Sequence, residues 1–444
     1  MAVAAACGSY GQRDPEAAGQ ATRAAAVEAE VSNEDAAALH LAACPVGETD
    51  RGVDADEIRI GTSLPQTGPS APLGAILPGA RAYLDLVNDA GGVDGRRVVL
   101  EALDDQGDPA DTSANVEELL EDEEVFALFG VVGTPNVLAF WDATEERCVP
   151  NLFVATGSPY WGDEGGHPWT IGSLPSYGAE AVIFAEHVAG VRPGGTVAIL
   201  EQDDDVGAAY ADGLREAVEE TDVTIVATER FEPGTTDVTA QVEALAATGA
   251  DALLAAVSGL ACPAAMQAVA ASGWDPLLYI SGTCVAAPLL DLAGAAADGV
   301  LSTTYLKDPA DPGWDADPAL QAYRRQLAVT APGADPANGF TAYGWTMAAA
   351  LVEVLRAADQ LTRPAVMVAA RHLDRVDAGL LLPGVSLTTG PGDPYPVERT
   401  QLMQHDVGTG LWAYLAPGEA AGRPAGPATV SLSGREGGTP SFAR

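Results

Sequence analysis

Glu57-Ile-Arg-Ile-Gly-Thr-Ser-Leu64 begins a pattern that the segments after it repeat. Its first residues alternate apolar and polar side chains, which reads as a β-strand. A Gly/Pro/Ser loop follows over Pro65 to Pro72. Gly79-Ala-Arg-Ala-Tyr-Leu-Asp-Leu-Val-Asn88 has helical spacing, and Gly91-Gly92 stops it. Arg97-Val-Val-Leu-Glu-Ala-Leu103 is the next strand, and a helix is expected over 110–121. Val125-Phe-Ala-Leu-Phe-Gly130 reads as a buried strand, 136–146 as a helix, and Asn151-Leu-Phe-Val-Ala155 as a strand. Strands alternating with helices in this way predict a parallel sheet covered on both faces.

The alternation then begins again. Strands are expected at Thr196-Val-Ala-Ile-Leu200, Val223-Thr-Ile-Val-Ala227, Asp251-Ala-Leu-Leu-Ala-Ala-Val257 and Leu277-Leu-Tyr-Ile-Ser281. Helices are expected between them over 207–220, 237–248 and 263–272, and two long ones later over 318–328 and 342–358. Two such runs predict an α/β protein of two Rossmann-like lobes with parallel central sheets. A cleft between lobes is where a small ligand binds.

Composition narrows the function classes. The 444 residues carry 63 acids against 22 bases, a net charge of −41, and Lys307 is the single lysine. So acidic a chain is no partner for nucleic acid, which is held through a basic face. Self-repulsion of this size fits salt-rich surroundings, where charges are screened; an ordinary acidic extracellular protein is the other reading. No run of 18 apolar residues occurs. The sequence has no HExxH, CxxC, GxxxxGK[ST] or GxSxG, so neither a metal site nor a cofactor nor catalysis is expected, and an α/β hydrolase is the least favoured reading.

The ordered series Ile58-Arg-Ile-Gly61, Thr67-Gly68-Pro69, Gly74, Gly79, Ala82, Val87-Asn88-Asp89-Ala90-Gly91-Gly92-Val93-Asp94-Gly95-Arg96, Asp104-Asp105 and Asp108-Pro109 resembles the type I periplasmic binding proteins of the leucine/isoleucine/valine-binding family. Asn338-Gly-Phe-Thr-Ala-Tyr343, leading into a long helix, fits as well. The resemblance runs from about Glu57 to about Tyr414. It implies two lobes joined by a three-segment hinge, with crossings near Gly172, Tyr305 and Leu387. The first lobe would combine 56–172 with 307–387, and the second 173–306 with 388–416. Separately, the opening Ala4-Ala5-Ala6-Cys7-Gly8-Ser9 resembles the lipobox of bacterial lipoproteins. It implies a remnant of a signal peptide over 1–7 and a lipid on Cys7, the only expected link to a membrane. Composition makes 8–55 a flexible linker, with a short helix around 33–43, and 417–444 a disordered tail.

The resemblance also places a site. Ligands of open α/β sheets bind beyond the carboxyl ends of the strands. Gly133-Thr134-Pro135-Asn136 offers a hydroxyl beside the free amides of a helix start, an anion-binding resource. Ala155-Thr156-Gly157-Ser158-Pro159 offers the same, and in the resembled family these two loops hold the ligand carboxylate. Ser70 and Ala71 of the first loop line the cleft in relatives, and Tyr177 and Tyr305 would be aromatic walls near the crossings. Where amino-acid receptors carry an acid for the ligand ammonium, this chain has Thr283. Their aromatic cleft positions align with Val206 and Ser258. An ammonium buried without a carboxylate is costly, which counts against an α-amino acid unless the acid comes from elsewhere; Asp203-Asp204-Asp205, with Asp205 as the site residue, could supply it.

Cys44, Cys148, Cys262 and Cys284 are expected to pair outside the cell. Cys262 with Cys284 joins loops of neighbouring strands and leaves Cys44 with Cys148, although four cysteines allow three pairings. The whole points to an extracellular or periplasmic solute receptor of an ABC importer. It would be lipid-anchored and monomeric, with permease subunits as partners. Its solute would be a branched-chain amino acid, an amide, a urea-like compound or a carboxylic acid. A ligand-sensing protein of the same fold is the alternative.

Overall fold

A computed structural model describes residues 31–45, 47, 50–162 and 165–415, together with the backbone of 430–431. Cys7 and most of the expected linker and tail lie outside the described residues. Chain order begins with α1 (Asn33–Ala38), β1 (Glu57–Leu64), α2 (Ile76–Asp89), β2 (Arg97–Asp104), α3 (Pro109–Glu121), β3 (Ala127–Phe129), α4 (Thr134–Leu138), α5 (Trp141–Glu146), β4 (Asn151–Val154) and β5 (Thr170–Gly172). The five strands form one parallel sheet in the order β2-β1-β3-β4-β5. Strand order reverses at β1, so the loops after β1 and β3 diverge and leave a crevice at the sheet's carboxyl end.

The second sheet takes the later elements. These are α6 (Tyr177–Val191), β6 (Thr196–Gln202), α7 (Asp205–Glu219), β7 (Thr224–Phe231), α8 (Thr239–Ala246), β8 (Ala252–Ala256), α9 (Ala261–Ser272), β9 (Leu277–Ile280), α10 (Ala287–Ala293) and β10 (Leu301–Thr304). After β10 the chain forms α11 (Pro318–Thr330), α12 (Gly339–Ala357) and α13 (Arg363–Ala370). It then returns as β11 (Arg399–Asp406) and β12 (Leu411–Tyr414). The order is β12-β11-β10-β9-β8-β6-β7, with β13 (Val430–Ser431) on β11. Strands β6 to β10 pair in parallel, and β11 is antiparallel to its neighbours. Two lobes result. The chain passes between them after Gly172, after Thr304 and ahead of Arg399.

Helix α12 belongs to the first lobe although it comes late in sequence. It packs against α2, and its Leu351, Val352, Val354 and Leu355 are sealed in the same core as Ile58, Ile60 and Leu84. The two helices touch backbone to backbone. A methyl at Gly79 would sit 1.9 Å from the Thr341 carbonyl oxygen, and one at Gly344 2.0 Å from that of Ile76. Only residues without a side chain allow this approach.

Two expectations change. The helix expected over 136–146 is broken into α4 and α5, because Phe140 leaves helical geometry (φ −126°). The break lets Phe140 and Trp141 both turn inward onto Val116, Leu119 and Val137. Residues 33–45, expected as a linker with a short helix around 33–43, do form that helix as α1 but are packed on the first lobe rather than free. Leu39 and Leu41 are buried, the Trp169 indole donates to the Leu39 carbonyl at 3.0 Å, and Cys44 is bonded to Cys148. Cys262 is bonded to Cys284.

Candidate functional site

A cavity of about 180 Å³ lies between the lobes, beside the crossings. The first lobe contributes Leu73 and Ile76 from the turn into α2, Val132 and Ala155 from beyond β3 and β4, and Phe340 and Tyr343 from the start of α12. The second lobe contributes Tyr177 and Glu180 from α6, Thr283 and Leu290 from beyond β9, and Trp412 and Tyr414 from β12. The crossing after β10 adds Tyr305, Lys307 and Asp308. These are the carboxyl ends of the strands, where the topology predicts a ligand.

Of the residues singled out from sequence, Ala155, Tyr177, Thr283 and Tyr305 line this cavity. Thr134, Thr156, Ser158 and Asp205 form a polar knot next to it. The Thr134 and Thr156 hydroxyls meet at 2.7 Å, the Tyr177 hydroxyl donates to Thr156 Oγ1 at 3.4 Å, and the Ser158 amide donates to it at 3.3 Å. Asp205 reaches this knot from the other lobe. Burial pushes its carboxyl up to about 6, against the hydroxyls of Thr134 and Ser158, which hold it down. Its Oδ2 is buried without a hydrogen-bond partner.

The remaining residues stand elsewhere. Ser70 and Ala71 open the short turn ahead of α2 and lie off the cavity, while Leu73 and Ile76 of the same segment reach it. Pro135 is the second residue of α4, a five-residue helix too short to serve as an anion site by its dipole. Gly157 accepts the Tyr177 amide at 2.9 Å through its carbonyl and so braces the first crossing. Ser258 bonds Gln202 at the mouth of β6. The acidic triplet is divided as well. Asp203 pairs with Arg230 at 3.6 Å, Asp204 caps α7 through the amides of Val206 and Gly207, and only Asp205 faces the first lobe.

Sequence reasoning missed Glu180. It is the one charged residue in the otherwise apolar run Tyr177-Gly-Ala-Glu-Ala-Val-Ile-Phe-Ala185, a signal visible in the sequence. The carboxylate accepts from Thr303 Oγ1 at 2.5 Å, from the Gly282 amide at 3.3 Å and from the Tyr210 hydroxyl. Burial raises its pKa, and the same three donors oppose that. A methyl on Gly282 would sit 2.6 Å from Glu180 Oε1, so a side chain there would push the carboxylate from its place. Lys307, also in the wall, is already neutralised. Its Nζ donates to Asp317 at 2.8 Å and to the Gly379 carbonyl at 3.3 Å.

Two α/β lobes, three passages between them and a cavity at the facing strand ends are the architecture of a two-lobed binding protein. The sequence profile of the periplasmic binding proteins matches residues 57–406, and the chain belongs to that family. Among curated relatives, a Leu/Ile/Val-binding protein homolog 3 of Brucella melitensis is 27% identical over 196 residues, 44% of this chain and 53% of the relative. The match thus spans about half of that relative's length. A Leu/Ile/Val-binding protein homolog 1 of Brucella abortus is 21% identical over 68% of this chain and 79% of its own. Among solved structures, a branched-chain amino acid ABC transporter protein of Thermus thermophilus with bound valine superposes with a TM-score of 0.73. It is 19% identical and covers 86% of this chain and 98% of its own. A fatty acid ABC transporter substrate-binding protein of Thermomonospora curvata gives 0.71 at 20% identity, covering 83% and 94%.

Proposed function

We propose that this chain is the solute-capturing receptor of an ABC importer, closing its lobes over one small solute. The observation that carries this reading is the cavity of about 180 Å³ walled by both lobes and by the crossing after β10. An apolar cavity of about 150 Å³ takes a molecule the size of benzene, so a solute of amino-acid or small-acid size fits. Capture is a shift of population. The solute touches both walls only when the lobes meet, and that differential contact drives closure. The lobes would divide as 56–172 plus 307–387 and 173–306 plus 388–416, except that Leu387 and Val397 both sit in the core of the first lobe, which favours a third boundary nearer Arg399 than 387. Permease subunits would dock on the rims of both lobes, and the chain would act as a monomer outside the cytoplasm. Lipidation of Cys7 rests on the sequence around it alone.

The test is a thermal-shift screen of small solutes, followed by small-angle scattering with each hit. A solute at a hundred times its dissociation constant adds about 2.7 kcal/mol of stability. A hit that also reduces the radius of gyration supports capture by closure. A hit bound without closure, or turned over chemically, refutes it.

A further inference from the structure

We infer that the solute carries a positive charge, an amine or related small organic cation, held by Glu180 inside a ring of aromatic side chains. This deepens the solute-capture reading and rests on it.

The first ground is charge. Glu180 is buried, 4% exposed, and lines the cavity. Its partners are two hydroxyls and one backbone amide. Among the described residues no lysine, arginine or histidine pairs with it. Those neutral donors and the positive end of α6 favour the carboxylate without supplying a counter-ion. A buried carboxylate without a cation is costly, and a cation entering the cavity removes that cost. The other wall charges do not compete. Lys307 is spent on Asp317, and Asp308 adds a second acid to the same wall.

The second ground is the wall itself. Tyr177, Tyr305, Phe340, Tyr343, Trp412 and Tyr414 contribute aromatic surface. Aromatic faces attract ammonium groups and are indifferent or hostile to carboxylates. The third is position. Glu180 accepts from the amide of Gly282, next to Thr283, so a carboxylate from α6 arrives at the loop after β9, where the chain offers no acid of its own. The hydroxyls of Thr134 and Thr156 are meanwhile bonded to each other at 2.7 Å, leaving less for a ligand carboxylate. Amino acids remain candidates, and acids without an amine do not.

The test titrates the whole protein by calorimetry with four probes of one carbon skeleton: isopentylamine, isopentanol, isocaproate and L-leucine. The amine is expected to bind more tightly than the alcohol, and isocaproate most weakly. Glu180→Gln keeps the side chain's shape and loses its charge. It is expected to weaken isopentylamine and leucine about ten- to a hundredfold, with isopentanol unchanged. The comparison of amine with alcohol uses the unmutated protein, so it decides even if the variant does not fold. Isopentanol or isocaproate binding as tightly as isopentylamine overturns the inference. So does a folded Glu180→Gln protein that binds leucine and isopentylamine as before, and so does the absence of binding by both amines. Isocaproate binding with lobe closure would overturn the cation and leave solute capture standing; no closure with any solute would remove both.

Discussion

Replacing Asp205 by Asn should make the lobes close more readily at neutral pH. In this structure the Asp205 carboxyl, on the first turn of α7, is buried against Thr134 and Ser158 of the other lobe, and burial raises it from 3.8 to about 6. Opening returns it to water and to its ordinary value. The sign follows from linkage. The closed form binds the proton more tightly, so closure is uncharged and cheap below 3.8, and grows costlier as pH rises through 6. A difference of roughly two pH units corresponds to about 3 kcal/mol at 1.36 kcal/mol each. Asn has no charge to bury. The variant's closed-to-open ratio should therefore exceed the wild type's by about 150-fold near pH 7.5 and by about 15-fold near pH 5. Both proteins keep Glu180 and Asp308, so their pH dependence cancels in the ratio. Small-angle scattering of the ligand-free proteins across that range reads the closed fraction. An equal closed fraction in both proteins at every pH would refute the reasoning, and so would a gap that does not narrow toward acid.

Three further outcomes follow from the same structure. The Cys44–Cys148 bond closes a loop of 104 residues and Cys262–Cys284 one of 22. Loop entropy then predicts that paired Cys→Ser replacement costs roughly 4.7 kcal/mol at the first and roughly 3.4 at the second. Denaturant midpoints measure both, and the reverse order would contradict a chain-entropy origin. Burial pushes Glu145 up to about 8, against the Trp169 amide it accepts from, so its contribution to stability falls as pH rises from 4.5 through 8. Glu145→Gln should melt above wild type near pH 9, with the gap closing toward pH 5; a constant gap would mean that lost hydrogen bonds, not charge, set the difference. With 63 acids against 22 bases, melting temperature should climb as sodium chloride approaches about 1 M, where the screening length falls to about 3 Å. A flat profile would show that the acids are spaced widely enough not to repel.

The fold was legible because strand β1 and its successors alternate with helices at a regular spacing. Hydrophobic periodicity needs only local sequence. Strands β5 and β10 were not legible. Each is three or four residues long, and each pairs with a strand whose identity depends on the assembled sheet. The site was legible in part. Tyr177, Tyr305, Ala155 and Thr283 reach the cavity because they follow strand ends or crossings, which topology orders in space. Asp205 was legible as an acid but not as the one of three that turns to the other lobe, since Asp204 takes the cap of α7 and Asp203 pairs with Arg230. Glu180 was hidden for a different reason. The lone charge in an apolar run marks it as unusual, but its partners Thr303, Gly282 and Tyr210 lie 123, 102 and 30 residues away, so its place in the cavity wall depends on contacts that no local pattern reports.

The covalent bond between Cys44 and Cys148 also sets how force travels. Tension on the chain ahead of Ser32 is delivered through sulfur to Cys148, between α5 and β4, and through the indole of Trp169 to the far edge of the same sheet. It enters one rigid body and exits none of the three passages to the other. A pull from that side would therefore swing the molecule without prising the lobes apart, so the closure proposed above would answer to thermal motion and the solute, indifferent to load.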